Sequence, residues 1–480
     1  MSWEDRLLED TPRGLEGGED RVSAARWANP EELGTEWTHT PSSILLGYRD
    51  DRAIGCGDDR HLMLVAGSRA GKGVSFVIPN LLLYEGSVLA IDPKGELANV
   101  TAERRAGGLG QDVYVIDPFG ASGSKTLAYR SGFNPLAEID PTSPTALDDA
   151  ALLADALIVD DSGGDKHWTN AARDLVKGLI LFALLQPAPS RHLGTVRSFF
   201  RAPGEFVEGK PVNGQILHLL EMQRNEGAFD GALAGIASAL LGKNERELNS
   251  IVSSADVQLG FLDSRPLMDC LEESRFRLAD LKRGKTSVYL CLPASRMSTH
   301  AKWFRMIVTM TMLMCERVEI KPDPPLLMLL EEFPVLGHMR PIEVAAGQIA
   351  GLGVKIWTVL QDLTQLQRHY GQSWETFMGN SGATIFFGNA DNTTLEYVSK
   401  KLGTIGFDLR RRSSAAPSAR LAGAKIIEEQ LQHSRLLEPH EVELMFAREC
   451  GRALVLYPGL HPLVVRRVIY HDDPAFEGMF

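Results

Sequence analysis

From residue 61 onward the chain alternates short apolar runs with helical stretches. HLMLVA (61–66), SVLAID (87–92), DVYVID (112–117), TSVYLCLP (286–293), LLMLLEE (326–332), VKIWTVL (354–360), ATIFFG (383–388) and ALVLYP (453–458) show no regular polar alternation. Such runs suit strands buried on both faces, as in a parallel sheet covered by helices, so the predicted fold class is α/β with a mostly parallel central sheet. Between about 140 and 275 this signal gives way to ALDDAALLADALIV, HWTNAARDLVKGLILFALL, NGQILHLLEMQRN and FDGALAGIASALLG, with apolar residues at three- and four-residue spacing. That spacing predicts an amphipathic helical insertion. The expected organisation is an irregular arm over 1–45, a sheet domain built from 46–140 and 276–480, and an all-helical insertion over 141–275. The polar stretch RRRSSAAPSARLAGAK (410–425) predicts a mobile loop before the last helix and strands.

At 480 residues, with 44% hydrophobic and 23% charged positions, the chain has the composition of a folded protein of two or three domains. The formal charge of -12 argues against a non-specific nucleic-acid coat and leaves a local basic channel open. Cys56, Cys270, Cys291, Cys315 and Cys450 are scattered, with no C-x-x-C pair, so neither a disulfide framework nor a cysteine zinc site is indicated. A reducing cytoplasm fits them. The first twenty residues have neither the basic-then-apolar order of a signal peptide nor the arginine content of a transit peptide. LVKGLILFALL and WFRMIVTMTMLMC fall short of the roughly 20 residues needed to span a bilayer and read as buried helices.

The run HLMLVA leads into Ala66, Gly67, Ser68, Arg69, Ala70, Gly71, Lys72 and Gly73, and then into VSFVIPNLLLY beginning at Val74. Strand, glycine-bearing loop and helix are the context a phosphate cradle requires, because successive N–H groups can face the anion and the helix N-terminus adds its dipole. Residues 67–74 are the expected nucleotide-binding loop, with Lys72 reaching the outer phosphates. Against G-x-x-x-x-G-K-[ST] the loop departs twice: Ala66 replaces the first glycine, and Gly73 stands where a hydroxyl would hold magnesium. Ser75, two residues on, is expected to point elsewhere, leaving a water in that place.

LLMLLEEFPVLG ends an apolar run with Glu331 and Glu332. Phosphoryl transfer needs a carboxylate at a strand tip to hold metal-bound water and often a second to polarise the attacking water. Glu331 is the expected metal-side acid, although Asp is usual there, and Glu332 the expected catalytic acid. Asp92 also ends a buried run, but Pro93 and Lys94 follow it, so it is assigned to a neighbouring strand tip bordering the nucleotide. Gln361 lies just beyond VKIWTVL, where a side-chain amide can donate to a terminal phosphate and accept from water, the part of a sensor.

Taken together, AGSRAGKGVSFVIPNLL, VLAIDPKGEL, VIDPFG with FNPL, SVYLCLP, LLEEFPVLG, QDLTQLQRHYG, RLLEPHEVELM and VIYHDDPAF resemble the type IV secretion coupling proteins, the TraG-like conjugative transfer ATPases, over roughly residues 45–480. The resemblance implies a RecA-like P-loop domain interrupted by an all-helical domain, with ATP and Mg2+ as cofactors. It further implies a ring, usually hexameric, at the cytoplasmic mouth of a secretion channel, handing on relaxase-bound single-stranded DNA or effector proteins. Members of this family commonly carry a Gly after the loop lysine. They also commonly begin with transmembrane helices; here a polar arm stands first, so peripheral attachment at the inner face of the membrane through channel subunits is expected.

Ring ATPases offer an arginine across the subunit interface. Arg305 is the candidate taken here, with Arg275 the other. Lys400, Lys401 and Arg410 to Arg412, with Phe407, form the densest basic stretch and a candidate groove for single strands. The competing class is a nucleotide-binding docking platform that recruits cargo with little or no hydrolysis, motivated by Gly73 and Glu331 together.

Overall fold

The computed structural model describes residues 25–159, 166–345, 349–412 and 427–480. Its strands are, in chain order, β1 Ile44–Arg49, β2 Arg52–Cys56, β3 His61–Ala66, β4 Val88–Asp92, β5 Asp112–Ile116, β6 Glu205–Val207, β7 Lys210–Val212, β8 Thr286–Cys291, β9 Leu326–Leu330, β10 Val354–Leu360, β11 Ser381–Phe387, β12 Thr404–Arg412, β13 Ile427–Arg435, β14 Arg452–Leu456 and β15 Leu463–Arg466. Each apolar run named above coincides with or overlaps one of them.

Two compact units divide the chain. The first comprises 1–80 and 359–475. Its strand order is β2-β1-β15-β14-β11-β3. Pairing is antiparallel from β2 through β11, and parallel between β11 and β3, where Phe387 faces Ala66 across the ladder. All six residues of β3 and all seven of β11 are buried, which is why both read as unbroken apolar runs. Phe76 stacks on Phe387 at 5.4 Å and closes the core beneath the end of β3. A separate ladder joins β12 to β13. Of the loop expected over 410–425, residues 410–412 belong instead to β12, and the rest, with the side chains of Phe407 and Arg410 to Arg412, lies outside the described residues, as does most of the arm.

The second unit comprises 81–358 and 476–480. Its strand order is β10-β9-β4-β8-β5, and every pairing is parallel. The chain between β5 and β8 carries the helices Ala146–Leu157, Lys166–Leu185, Leu193–Ser198, Gly214–Arg224, Ala232–Leu241, Glu245–Leu259 and Arg265–Leu271. The all-helical expectation needs one amendment. Residues 205–212, FVEGKP flanked by Glu205 and Val212, pair as the short hairpin β6/β7, because Gly209 at φ 78° closes a tight turn. The helix Ala294–Arg317 buries Trp303, Phe304, Met306, Ile307 and Val308, and Lys282 donates to the carbonyls of Cys315 and Val318 at its C-terminal end. Among the described residues no helix is long and apolar enough to cross a membrane.

Candidate nucleotide site

The phosphate loop leaves the end of β3 and turns through two left-handed residues, Arg69 at φ 57° and Gly71 at φ 97°. Alternation of this kind makes a concave nest of N–H groups, the shape an anion occupies. Gly67 is required sterically: a Cβ there would stand 2.0 Å from the carbonyl oxygen of Gly388 at the tip of β11. Ala70 is buried, whereas Ser68 and Arg69 are exposed. Lys72 folds back, its Nζ donating to the carbonyls of Ala66 at 2.7 Å and Gly67 at 3.2 Å, so the ammonium is held at the mouth of the loop.

The following helix opens with a π-helical turn, Gly73–Val77, before the α-helix Ile78–Leu83. Pro79 is the physical reason. It has no N–H to offer the carbonyl four residues back. The wider turn is closed instead by Ile78 N–H donating to Gly73, and Asn80 Nδ2 takes the Phe76 carbonyl at 2.8 Å. Ser75 is buried, with its N–H donating to the Gly71 carbonyl at 2.9 Å. A Cβ built on Gly73 meets nothing within 4 Å, so the position lacking the hydroxyl opens onto space that a water ligand fits. No group of three or more His, Cys, Asp or Glu side chains suited to a metal occurs among the described residues.

Gln361 follows β10 directly, and Asp362 then caps the helix Leu363–Tyr370 by accepting from Gln365 N–H at 3.0 Å. The Gln361 carbonyl accepts from Asn389 Nδ2 at 3.1 Å, and Asn389 is buried next to Gly388. Gln361 and the phosphate loop are therefore tied to the same β11 tip. Sequence reading missed Gly388 and Asn389; their signal was the pair GN directly after the apolar run ATIFF.

In the second unit β9 ends at Leu330, and Glu331 and Glu332 follow, both half-buried. Glu332 takes left-handed backbone angles, φ 53° and ψ 43°, uncommon for a non-glycine residue and a form of strain that collects at functional sites. The turn after it, Phe333–Leu336, is braced by Arg305. This guanidinium is 8% exposed and donates to the carbonyls of Leu336, His338 (2.8 Å) and Ala156 (3.4 Å). Arg305 thus has its donors engaged inside its own chain, in disagreement with the expected offer across a subunit interface; sequence could not distinguish a buried arginine from a solvated one.

Asp92 ends β4, the strand tip it was assigned to. It is fully buried, accepts from Ala98 N–H at 2.9 Å over the start of the helix Glu96–Glu103, and lies 3.7 Å from the Cys291 sulfur. Burial raises its pKa to about 6, against the helix N–H donors that favour the charged form. It is held inside the protein over the start of that helix.

Residues 29–479 match the family described as type IV secretory system conjugative DNA transfer. The VirD4 protein of Agrobacterium fabrum is 31% identical over 432 residues, 88% of this chain and 60% of that protein. TraG of Escherichia coli is 25% identical over 444 residues, 87% of this chain and 68% of that protein. The chain spans about 60% of the length of the VirD4 relatives it matches. Among solved structures, the coupling protein TrwB in complex with the ATP analogue ADPNP superposes with a TM-score of 0.66 at 14% identity, covering 93% of both chains. TrwB in complex with ADP and Mg2+ gives 0.62 at 14% identity, covering 95% of this chain and 97% of that one. The likeness establishes the fold: the α/β architecture that the apolar runs predicted, in the RecA-like form that the resemblance implied.

Proposed function

The chain belongs to the type IV secretory conjugative DNA transfer family, and from that premise we propose that it is a coupling ATPase: it receives relaxase-bound single-stranded DNA or effector proteins, and ATP hydrolysis drives their transfer to a secretion channel. The observation that carries this reading is the nest at the end of β3, with left-handed Arg69 and Gly71 and with Lys72 held at its mouth. The relatives' VirD4 and TraG names and the nucleotide-bound TrwB structures support it.

In this reading the amides of residues 67–74 bind the β- and γ-phosphates, and Lys72 exchanges its two loop carbonyls for phosphate oxygens. Mg2+ would neutralise phosphate charge, with Glu331 holding its water on the acid side and a water standing at Gly73. Glu332 accepts a proton from the attacking water; the water oxygen bonds to the γ-phosphorus as the bond to the ADP oxygen breaks, leaving ADP and phosphate. Gln361, fixed through Asn389 to the β11 tip, senses whether the terminal phosphate is present. The active form is a homo-hexamer at the cytoplasmic face of the membrane, held there by channel subunits, and the arginine completing each site comes from a residue other than Arg305.

Magnesium-dependent ATPase activity, measured with and without single-stranded DNA, tests the proposal. Activity is expected to fall to background in Lys72→Ala and in Glu332→Gln, with ATP binding kept in the latter. The second reading, a docking platform, is favoured by one observation, the pairing of a hydroxyl-free Gly73 with Glu331. ATP binding without turnover in the presence of DNA, protein cargo and channel subunits would select it.

A further inference from the structure

Arg467, one residue past β15, lies behind the phosphate loop and is 8% exposed. Its Nη1 donates to the Ala70 carbonyl at 2.9 Å, and its Nη2 donates to the Arg448 carbonyl. The guanidinium carbon sits 4.4 Å from the centre of the Phe387 ring on β11. Its own N–H donates to Gly451 at 2.7 Å, which fixes the backbone it hangs from. Among the described residues no carboxylate pairs with it at ion-pair distance, and Nε is buried without a hydrogen-bond partner. Carbonyl dipoles and a ring face therefore hold a buried cation, an expensive arrangement for a group that only fills space.

The cost is explained by what the contact does to the loop. A trans peptide is planar, so the carbonyl of Ala70 and the N–H of Gly71 point in opposite directions. An arginine that takes the carbonyl from behind turns the Gly71 N–H forward into the nest, and Gly71 at φ 97° is free to follow. The retained positive charge, screened by little water, also acts on an anion in front of the loop.

We propose that Arg467 is the positioning residue for the phosphate loop: through the Ala70 carbonyl it sets the direction of the Gly71 amide and thereby the affinity for nucleotide phosphates. This rests on the loop being the nucleotide site, as proposed above. It makes the C-terminal strand, about 400 residues away in sequence, a determinant of ATP affinity.

The test uses the full chain as wild type, Arg467→Lys, Arg467→Met and, as a control, Lys72→Ala. Amide hydrogen exchange of residues 67–74 is measured without nucleotide, and ATP and ADP affinities are measured by equilibrium titration alongside thermal unfolding. In Arg467→Met, loop exchange is expected to rise and both nucleotides to bind about tenfold or more weakly, the scale of losing a charged hydrogen bond. Arg467→Lys is expected to recover part of the affinity at a melting temperature close to wild type, and it stands in if the Met variant does not fold. Unchanged loop exchange and unchanged affinity in folded variants would overturn the proposal while leaving the site reading intact. Wild type and Lys72→Ala binding ATP equally would instead overturn the site reading, and the exchange result would still judge the positioning role.

Discussion

Two glycines six residues apart in one loop have opposite tolerances, and the reason is what each faces. At Gly67 an added methyl meets backbone, the Gly388 carbonyl oxygen at 2.0 Å, which cannot swing away as a side-chain end could. Gly67→Ala is expected to displace the loop from the β11 tip, weakening ATP binding by an order of magnitude or more and lowering the melting temperature. At Gly73 no atom lies within 4 Å of the same methyl, and the backbone is outside the left-handed region. Gly73→Ser should therefore fold with stability within about 0.5 kcal/mol of wild type, as substitutions into open space usually do. It also restores the hydroxyl whose place a water is proposed to take. A magnesium titration of ATPase activity is expected to show half-maximal activation at a lower concentration in Gly73→Ser; an unchanged midpoint would place the ion elsewhere.

At the scale of elements, two strand ends of the second unit are braced by buried ionisable side chains, Arg305 after β9 and Asp92 at the end of β4. Arg305 links the helix Ala294–Arg317 to the turn after Glu332 through the Leu336 and His338 carbonyls. Arg305→Met removes the donor to those carbonyls, of which that of Leu336 lies in a buried contact, so a stability loss of about 1–3 kcal/mol is expected, read as a lowered denaturation midpoint in the isolated protein. A finger acting between subunits would leave that midpoint unmoved. Asp92 carries a pH signature. Its folded pKa of about 6 lies above the ordinary 3.8, so the folded state holds the proton more tightly between those values. Its stability contribution is present below about pH 4 and lost as the pH rises through about 6, on the order of 2–3 kcal/mol at about 1.4 kcal/mol per unit. The stability difference between Asp92→Asn and wild type should thus grow in the variant's favour from pH 4 to pH 7. Strand positions were legible because burial on both faces leaves an unbroken apolar run, and the loop was legible because glycines and a lysine sit between such runs. Arg305, Asp92 and Arg467 were not: whether a charged side chain is solvated or enclosed depends on elements distant in sequence, and residue spacing carries no record of it. Asn389 fell between these cases, visible as a strand-end residue but not as the partner of Gln361.

At the scale of the molecule, the reading asks one reaction to depend on groups separated by more than 250 positions in the chain. Lys72 follows β3 in the first compact unit and Glu332 follows β9 in the second. If both serve a single hydrolysis event, their losses cannot add, because once either is missing the other has no transition state to stabilise. The ATPase rate of Lys72→Ala with Glu332→Gln is then expected to equal that of the slower single variant, measured at saturating single-stranded DNA. A double variant slower than either by the product of the two effects would mean that the two groups act independently, and would defeat the reading in which they serve the hydrolysis as one unit. The same assay run against protein concentration addresses assembly. A hexamer completed by a neighbour's arginine gains specific activity as subunits associate, so the rate per chain is expected to rise steeply with concentration and with DNA. Mixing inactive Glu332→Gln chains into wild type should then depress activity more than dilution does, because each inactive chain would sit in a ring whose sites are shared. Activity that falls only in proportion to the wild-type fraction would mean that each chain hydrolyses ATP alone.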